Sequence, residues 1–255
     1  VLIPTTAGTG SEVTPVSIIT VGEEEKKGVS SSLILPDIAI LDPDLTIGLP
    51  AHTTAATGID AMVHAIEGYT SANKNNNPIS RMLATEALKL LSSSIEKAVF
   101  DGSDIQARSN MLIGAMLAGQ SFANSPVAAV HALAYPIGGT FHISHGLSNS
   151  LVLPYVLRFN SVDSKTTKNY ADLAPFVFPD IDSEQGSQAV CKEFIDRLEI
   201  LSKKIGLPQK LREVNIPKEA CKKMASDAMK QTRLLVNNPR EVTENDALNI
   251  YESAW

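Results

Sequence analysis

The 255-residue chain is 44% apolar and 20% charged, an ordinary globular balance that provides for a sizeable core. A net charge of −6 offers no attraction to phosphates and excludes nucleic acid as a partner; no apolar run reaches the ~18 residues of a membrane span, and no basic start precedes one as in a signal peptide. Two cysteines, Cys191 and Cys221, lack CxxC spacing and predict buried free thiols in a soluble protein with a reducing, cytoplasmic setting.

The chain opens on Val1-Leu2-Ile3-Pro4, apolar from the first residue and without a methionine, which reads like the inside of a strand in something longer. Further strands are predicted at residues 16–21 and 32–41, rich in Ile, Leu and Val. Between them a charged run closed by Gly22 and Gly28 reads as a solvated hairpin turn. From Pro50 the spacing becomes helical and stays so, which sets a domain boundary: residues 1–49 on one side, 50–255 on the other. Asn77-Pro78, an N-cap residue followed by proline at the first helical position, opens a helix whose Met82, Leu83, Ala87, Leu90 and Leu91 recur at three-and-four spacing. Helices are also predicted over 104–122 and 187–205, the latter stopped by Gly206 and Pro208 behind Lys203-Lys204. A last one starts at Thr243, where Thr-Glu-Asn-Asp resembles a capping box. The fold class expected is α+β: a short β-rich segment followed by a large all-helical domain.

Histidine is scarce, five in the chain, and four of the five fall in two short stretches. Asp60 and His64 stand at i, i+4, so on a helix they share one face a turn apart, the separation at which two groups can grip one ion. His131 lies in a stretch that looks helical up to Tyr135 and is then broken by Pro136, Gly138 and Gly139, letting His131 and His145 converge from two elements. Each pair alone has a plainer reading, a helical hydrogen bond or a buried histidine bonded to a carbonyl. Together they offer one carboxylate and three imidazoles, a set that suits Fe²⁺ or Zn²⁺ rather than the all-oxygen shells of Ca²⁺ or Mg²⁺. His52, after Leu49-Pro50, reads as a helix-start residue.

The segments Pro4-Thr5-Thr6-Ala7-Gly8-Thr9-Gly10-Ser11-Glu12, Ala56-Thr57-Gly58-Ile59-Asp60 through Glu67-Gly68-Tyr69, and Phe141 to Gly146 continuing into Asn149 and Pro154 closely resemble the signatures of iron-containing (group III) alcohol dehydrogenases, as does Asn238-Pro239-Arg240. The resemblance implies that Asp60, His64, His131 and His145 bind one divalent metal, usually Fe²⁺ and sometimes Zn²⁺. It further implies hydride transfer between a small alcohol or aldehyde and NAD or NADP, and a homo-oligomer. By the same resemblance Thr5, Thr6 and Thr9 contact the nicotinamide cofactor, with Lys27 a candidate for its ribose. Residues 1–49 would then be the last piece of an α/β dinucleotide-binding domain, 50–255 the metal-binding catalytic domain. Members of the family carry a glycine-rich loop for the pyrophosphate that nothing here matches, so these 255 residues alone are expected to turn over little. The same gap keeps open a rival reading, a non-catalytic metal-binding or partner-binding helical module. Several members have a histidine where Tyr135 stands; Tyr135 and His142 are the candidate catalytic residues for moving the proton.

Overall fold

A computed structural model describes the backbone of residues 1–21 and 25–255, with side chains throughout except at Thr20 and residues 25–27. The hairpin turn expected at 22–28 falls partly on residues 22–24, outside the described residues. Its second half is not turn: β1 (Val16–Val21) pairs antiparallel with β2 (Glu25–Ser30), Val16 opposite Ser30 and Val21 opposite Glu25. The strand expected over 32–41 does not form. Residues Ser32–Ile34 make a single 3-10 turn, and only Ala39 pairs, with Leu2, in an isolated parallel bridge that is also all that remains of the strand expected at 1–4. Pro36 removes a ladder donor in mid-segment. The apolar residues there meet no neighbouring sheet among the described residues: Leu33 is 92% exposed.

Ten helices follow among the described residues: α1 (Ala51–Thr70), α2 (Pro78–Phe100), α3 (Ile105–Asn124), α4 (Ala129–Phe141), α5 (His145–Asn160), α6 (Ser164–Val177), α7 (Ser187–Lys204), α8 (Ala220–Ala228), α9 (Thr232–Leu235) and α10 (Glu244–Ala254). Helix α1 is the hub, packed by α2, α3, α5 and α6. Its composition explains that position. It is buried on every side, as a helix apolar all round must be, and its small residues Ala55, Ala61 and Ala65 let neighbours approach closely. None of these helices is long and apolar enough to cross a membrane.

Caps fix the starts. Asn77 accepts from the backbone N–H groups of Ile79 and Ser80 while the Ser80 hydroxyl accepts from the N–H of Asn77; Asp104 caps α3, and Thr243 forms the expected capping box with Asp246. Such caps are worth about 1 kcal/mol each. The buried stripe of α2 is Ala84, Ala87, Leu88, Leu91, Ile95 and Ala98. Met82 is on the outward face and Leu83 and Leu90 lie at the margin, so the stripe was misaligned by about a position in the spacing. Both cysteines are buried and free, and burial pushes the Cys191 thiol up to about 11.

Helix α4 differs from expectation in an informative way. It runs straight through Pro136 to Phe141, although a proline in mid-helix deletes one backbone hydrogen bond. Burial of the helix against α5 and α8 holds it. The chain turns instead at His142, whose φ of 56° is left-handed and uncommon for a residue with a Cβ. Three residues later α5 begins at His145, folded back over α4.

Candidate functional site

That turn brings the two ends of the histidine pair together. The rings of His131 on α4 and His145 on α5 lie 5.2 Å apart, and His131 stacks at 4.7 Å on His64 of α1. Asp60, one turn before His64, places its Oδ1 3.8 Å from His131 Nε2 and 3.7 Å from His145 Nε2. One donor atom from each of Asp60, His64, His131 and His145 falls within 4.8 Å of every other. Ligands about 2.0–2.2 Å from one tetrahedral ion stand ~3.5 Å apart, so small side-chain movements complete the shell. Three imidazole nitrogens and one carboxylate oxygen are the donor chemistry that iron and zinc accept, and the residues fit such an ion.

The imidazoles are aimed by partners outside this set. His64 Nδ1 donates to the carbonyl of Gly8 at 3.2 Å, and His131 Nδ1 to Glu67 Oε2 at 2.7 Å, leaving Nε2 of each ring with its lone pair toward the cluster. Glu67 is itself held by the backbone N–H groups of Ala128 and Val130, at 3.0 and 2.7 Å. Asn149, one turn into α5, donates its amide to Asp60 Oδ1 at 2.6 Å and lies 3.3 Å from Nε2 of both His131 and His145. Its Oδ1 is buried without a partner, so this side chain spends all its hydrogen bonding on the donor set. Glu67 was within reach of sequence reasoning, being three residues after His64 and seven after Asp60 on the same helical face; Gly8 was not, because no spacing links it to α1.

Burial separates the four donors. Asp60, His64 and His131 are 2%, 5% and 2% exposed, whereas the His145 side chain is 45% exposed, so the cluster is closed on the helical side and open at His145. Burial pushes the His64 imidazole down to about 3, against the pull of Asp60. For Asp60 burial acts upward, but the three imidazoles and the Asn149 amide outweigh it and hold the carboxyl below its usual range. A neutral His64 beside an ionised Asp60 is the protonation state a cation needs.

The open side faces a cleft of about 1180 Å³ between the helices and the hairpin. Asp60, His64, His131, His145, Tyr135 and His142 all line it, as does Thr9. Thr5 and Thr6 do not, although Thr5 is exposed and Thr6 half-buried close by in sequence. Lys27 pairs with Ile19 in the hairpin, but its side chain lies outside the described residues. The Tyr135 ring is 5.9 Å from that of His145; burial raises its hydroxyl above the ordinary value, with Arg233 pulling the other way. His142 is exposed on the cleft rim at the left-handed turn. His52 lies 3.3 Å from the Thr53 hydroxyl and is not part of the cleft wall.

Known proteins resemble this chain over its whole length. The profile of the iron-containing alcohol dehydrogenases matches residues 1–43, and that of the C-terminal part of the Fe-containing alcohol dehydrogenase family matches residues 54–255. The chain is 44% identical to long-chain-alcohol dehydrogenase 1 of Geobacillus thermodenitrificans and 38% identical to 1,3-propanediol dehydrogenase of Klebsiella pneumoniae, with 100% of this chain and 63% and 65% of those proteins covered. A crystal structure of 1,3-propanediol oxidoreductase superposes with a TM-score of 0.93 at 35% identity, covering 99% of this chain and 65% of that one. The chain thus spans slightly less than two thirds of the length of the relatives it matches. It belongs to the iron-containing alcohol dehydrogenase family.

Proposed function

We propose that this chain carries the metal and substrate site of a metal-dependent alcohol dehydrogenase, in which Asp60, His64, His131 and His145 hold one Fe²⁺ or Zn²⁺. The observation that carries the reading is the convergence of four donor atoms from three helices within 4.8 Å, open on one side to the cleft. A divalent ion held there supplies a Lewis acid for the oxygen of an alcohol or aldehyde.

The protein's own groups do the rest. Gly8 and Glu67 fix the tautomers of His64 and His131, and Asn149 steadies the Asp60 carboxylate. Tyr135 keeps its proton at neutral pH, because burial raises its hydroxyl, and so serves as a hydrogen-bond donor beside the substrate oxygen; His142, exposed on the rim, exchanges the proton with solvent. Thr5, Thr6, Thr9 and Lys27 would contact NAD or NADP on the hairpin side of the cleft, and a nicotinamide held there would supply the hydride acceptor for the alcohol. Among these, Thr9 has the direct support of lining the cleft. Residues 1–49 go with a dinucleotide-binding part and 50–255 form the metal-binding part of a cytoplasmic homo-oligomer acting on small alcohols or diols.

The test is NAD- and NADP-dependent oxidation of primary alcohols and diols by this chain mixed with a nucleotide-binding domain, after chelation and after reloading with Fe²⁺ or Zn²⁺. Loss on chelation and recovery with metal is expected. Full turnover by the chelated protein refutes the reading.

A further inference from the structure

The cleft walls carry imidazoles, hydroxyls and the Asp60 carboxylate, and Arg233 is the one described wall residue with a permanent positive charge. It stands in α9, which packs on α4, and its guanidinium lies directly on the backbone of β2 at Gly28. Even a methyl group at position 28 would collide with the guanidinium, so glycine there leaves the space that Arg233 fills. Ser17 and Ser30 of the same hairpin line the cleft alongside it. Among the described residues no carboxylate pairs with this exposed guanidinium, whereas Arg158 and Arg197 elsewhere on the molecule each bridge to two acidic residues. Arg233 lines the same cleft as the donor set and Tyr135, whose ring is 5.9 Å from that of His145.

On a chain of net charge −6 an anionic ligand is repelled at long range and needs a local cation to hold it. A guanidinium presents a planar fork that matches the two oxygens of a carboxylate or phosphate, and one seated against backbone loses less freedom on binding. We propose that Arg233 is an anion subsite of the cleft, receiving the carboxylate or phosphate oxygens of the molecule bound there. Two sources share that chemistry: an acidic group at the far end of a bifunctional aldehyde or hydroxy acid, and a phosphate of the dinucleotide. The substrate source rests on the function proposed above; the subsite itself does not.

The test compares the wild type with Arg233→Ala and Arg233→Lys in the metal-loaded protein. The ratio of kcat/KM for a carboxylate-bearing aldehyde to that for a neutral aldehyde of equal length is measured, together with the Kd of NADH and NADPH from the fluorescence of the reduced nicotinamide. Charged hydrogen bonds of ~1.5–3 kcal/mol correspond to roughly 10- to 100-fold. A fall of that size in the ratio identifies the substrate as the source, and a rise of that size in the dinucleotide Kd identifies the cofactor; the lysine variant should retain part of either. No change in either quantity overturns the subsite. A second measurement needs no turnover: modification of Arg233 by phenylglyoxal, followed by mass spectrometry, with glutarate or NADH as protectant. Protection in a protein whose turnover survives chelation would sink the metal-dependent reading and keep the subsite, whereas metal-dependent turnover without protection by either probe would do the reverse.

Discussion

At the scale of single residues, the donor set depends on groups that never touch a ligand themselves. Glu67 accepts from His131 Nδ1 and from two backbone N–H groups at once, so Glu67→Gln turns an amide toward at least one of these donors. Metal affinity, measured by competition with a chelator, should fall roughly 10- to 100-fold, the range for partners of metal-bound histidines. Unchanged affinity would mean that Glu67 only ties α1 to α4. His64 gives a pH signature. Its folded-state value of about 3 lies below the ~6.5 of an unfolded histidine, so between these limits the unfolded chain binds a proton that the native chain does not. The stability contributed by neutral His64 is therefore whole above about pH 6.5 and drains away as pH falls toward 3. Urea midpoints of the chelated protein should drop over that interval, and His64→Leu should flatten the slope by about one proton. Parallel slopes in the two proteins would show that His64 titrates normally.

At the scale of elements, the critical contact is α5 against α1. A Cβ at Gly146 would collide with the carbonyl of Ala56 and come within 3.2 Å of the Asp60 Cβ, so Gly146→Ala must push apart the helices that carry His145 and the Asp60/His64 pair. A cost of roughly 1–3 kcal/mol in denaturant unfolding is expected from such overpacking, together with weaker metal binding. Normal metal content in the variant would show that the helices can separate without disturbing the donors. Gly10 makes a similar approach on the other side: with a φ of 60° it lies against Gly119 of α3 and sets the course of the loop whose Gly8 carbonyl meets His64. Much of this architecture is legible in the sequence, because the caps at Asn77 and Thr243 and the i, i+4 placement of Asp60 and His64 are local signals. The residues 32–41 mislead, since β-branched composition specifies a strand only where a neighbour exists to pair with it. Pro136 misleads in the opposite direction: burial outweighs the lost hydrogen bond, and the turn goes to His142, where local propensity gives no sign of it. Nor does spacing reveal Gly8, Asn149 or Arg233 as parts of one cleft, because each reaches it from a different element.

At the scale of the whole molecule, the helical part is densely buried while the first fifty residues are not. Val1, Leu2, Ile3, Leu33, Ile38 and Ile40 are all exposed, a concentration of apolar surface that ordinarily seeks a partner. The 255-residue chain should accordingly self-associate with rising concentration in sedimentation velocity, and charged substitutions at Leu33 and Ile38 should reduce this; a monomer at all concentrations would contradict it. Beneath that surface the organisation is simple: a central helix supplies two donors, a proline-containing helix and its successor supply the others, and the hairpin closes the far side of the cleft. Everything proposed about chemistry depends on one ion being held where those helices meet. Elemental analysis of protein loaded anaerobically with Fe²⁺ or Zn²⁺, at equal protein for wild type, His64→Ala and His131→Ala, tests that most directly. One metal per chain in the wild type and a sharp loss in both variants is the expected result, and full occupancy in either variant would contradict the assignment.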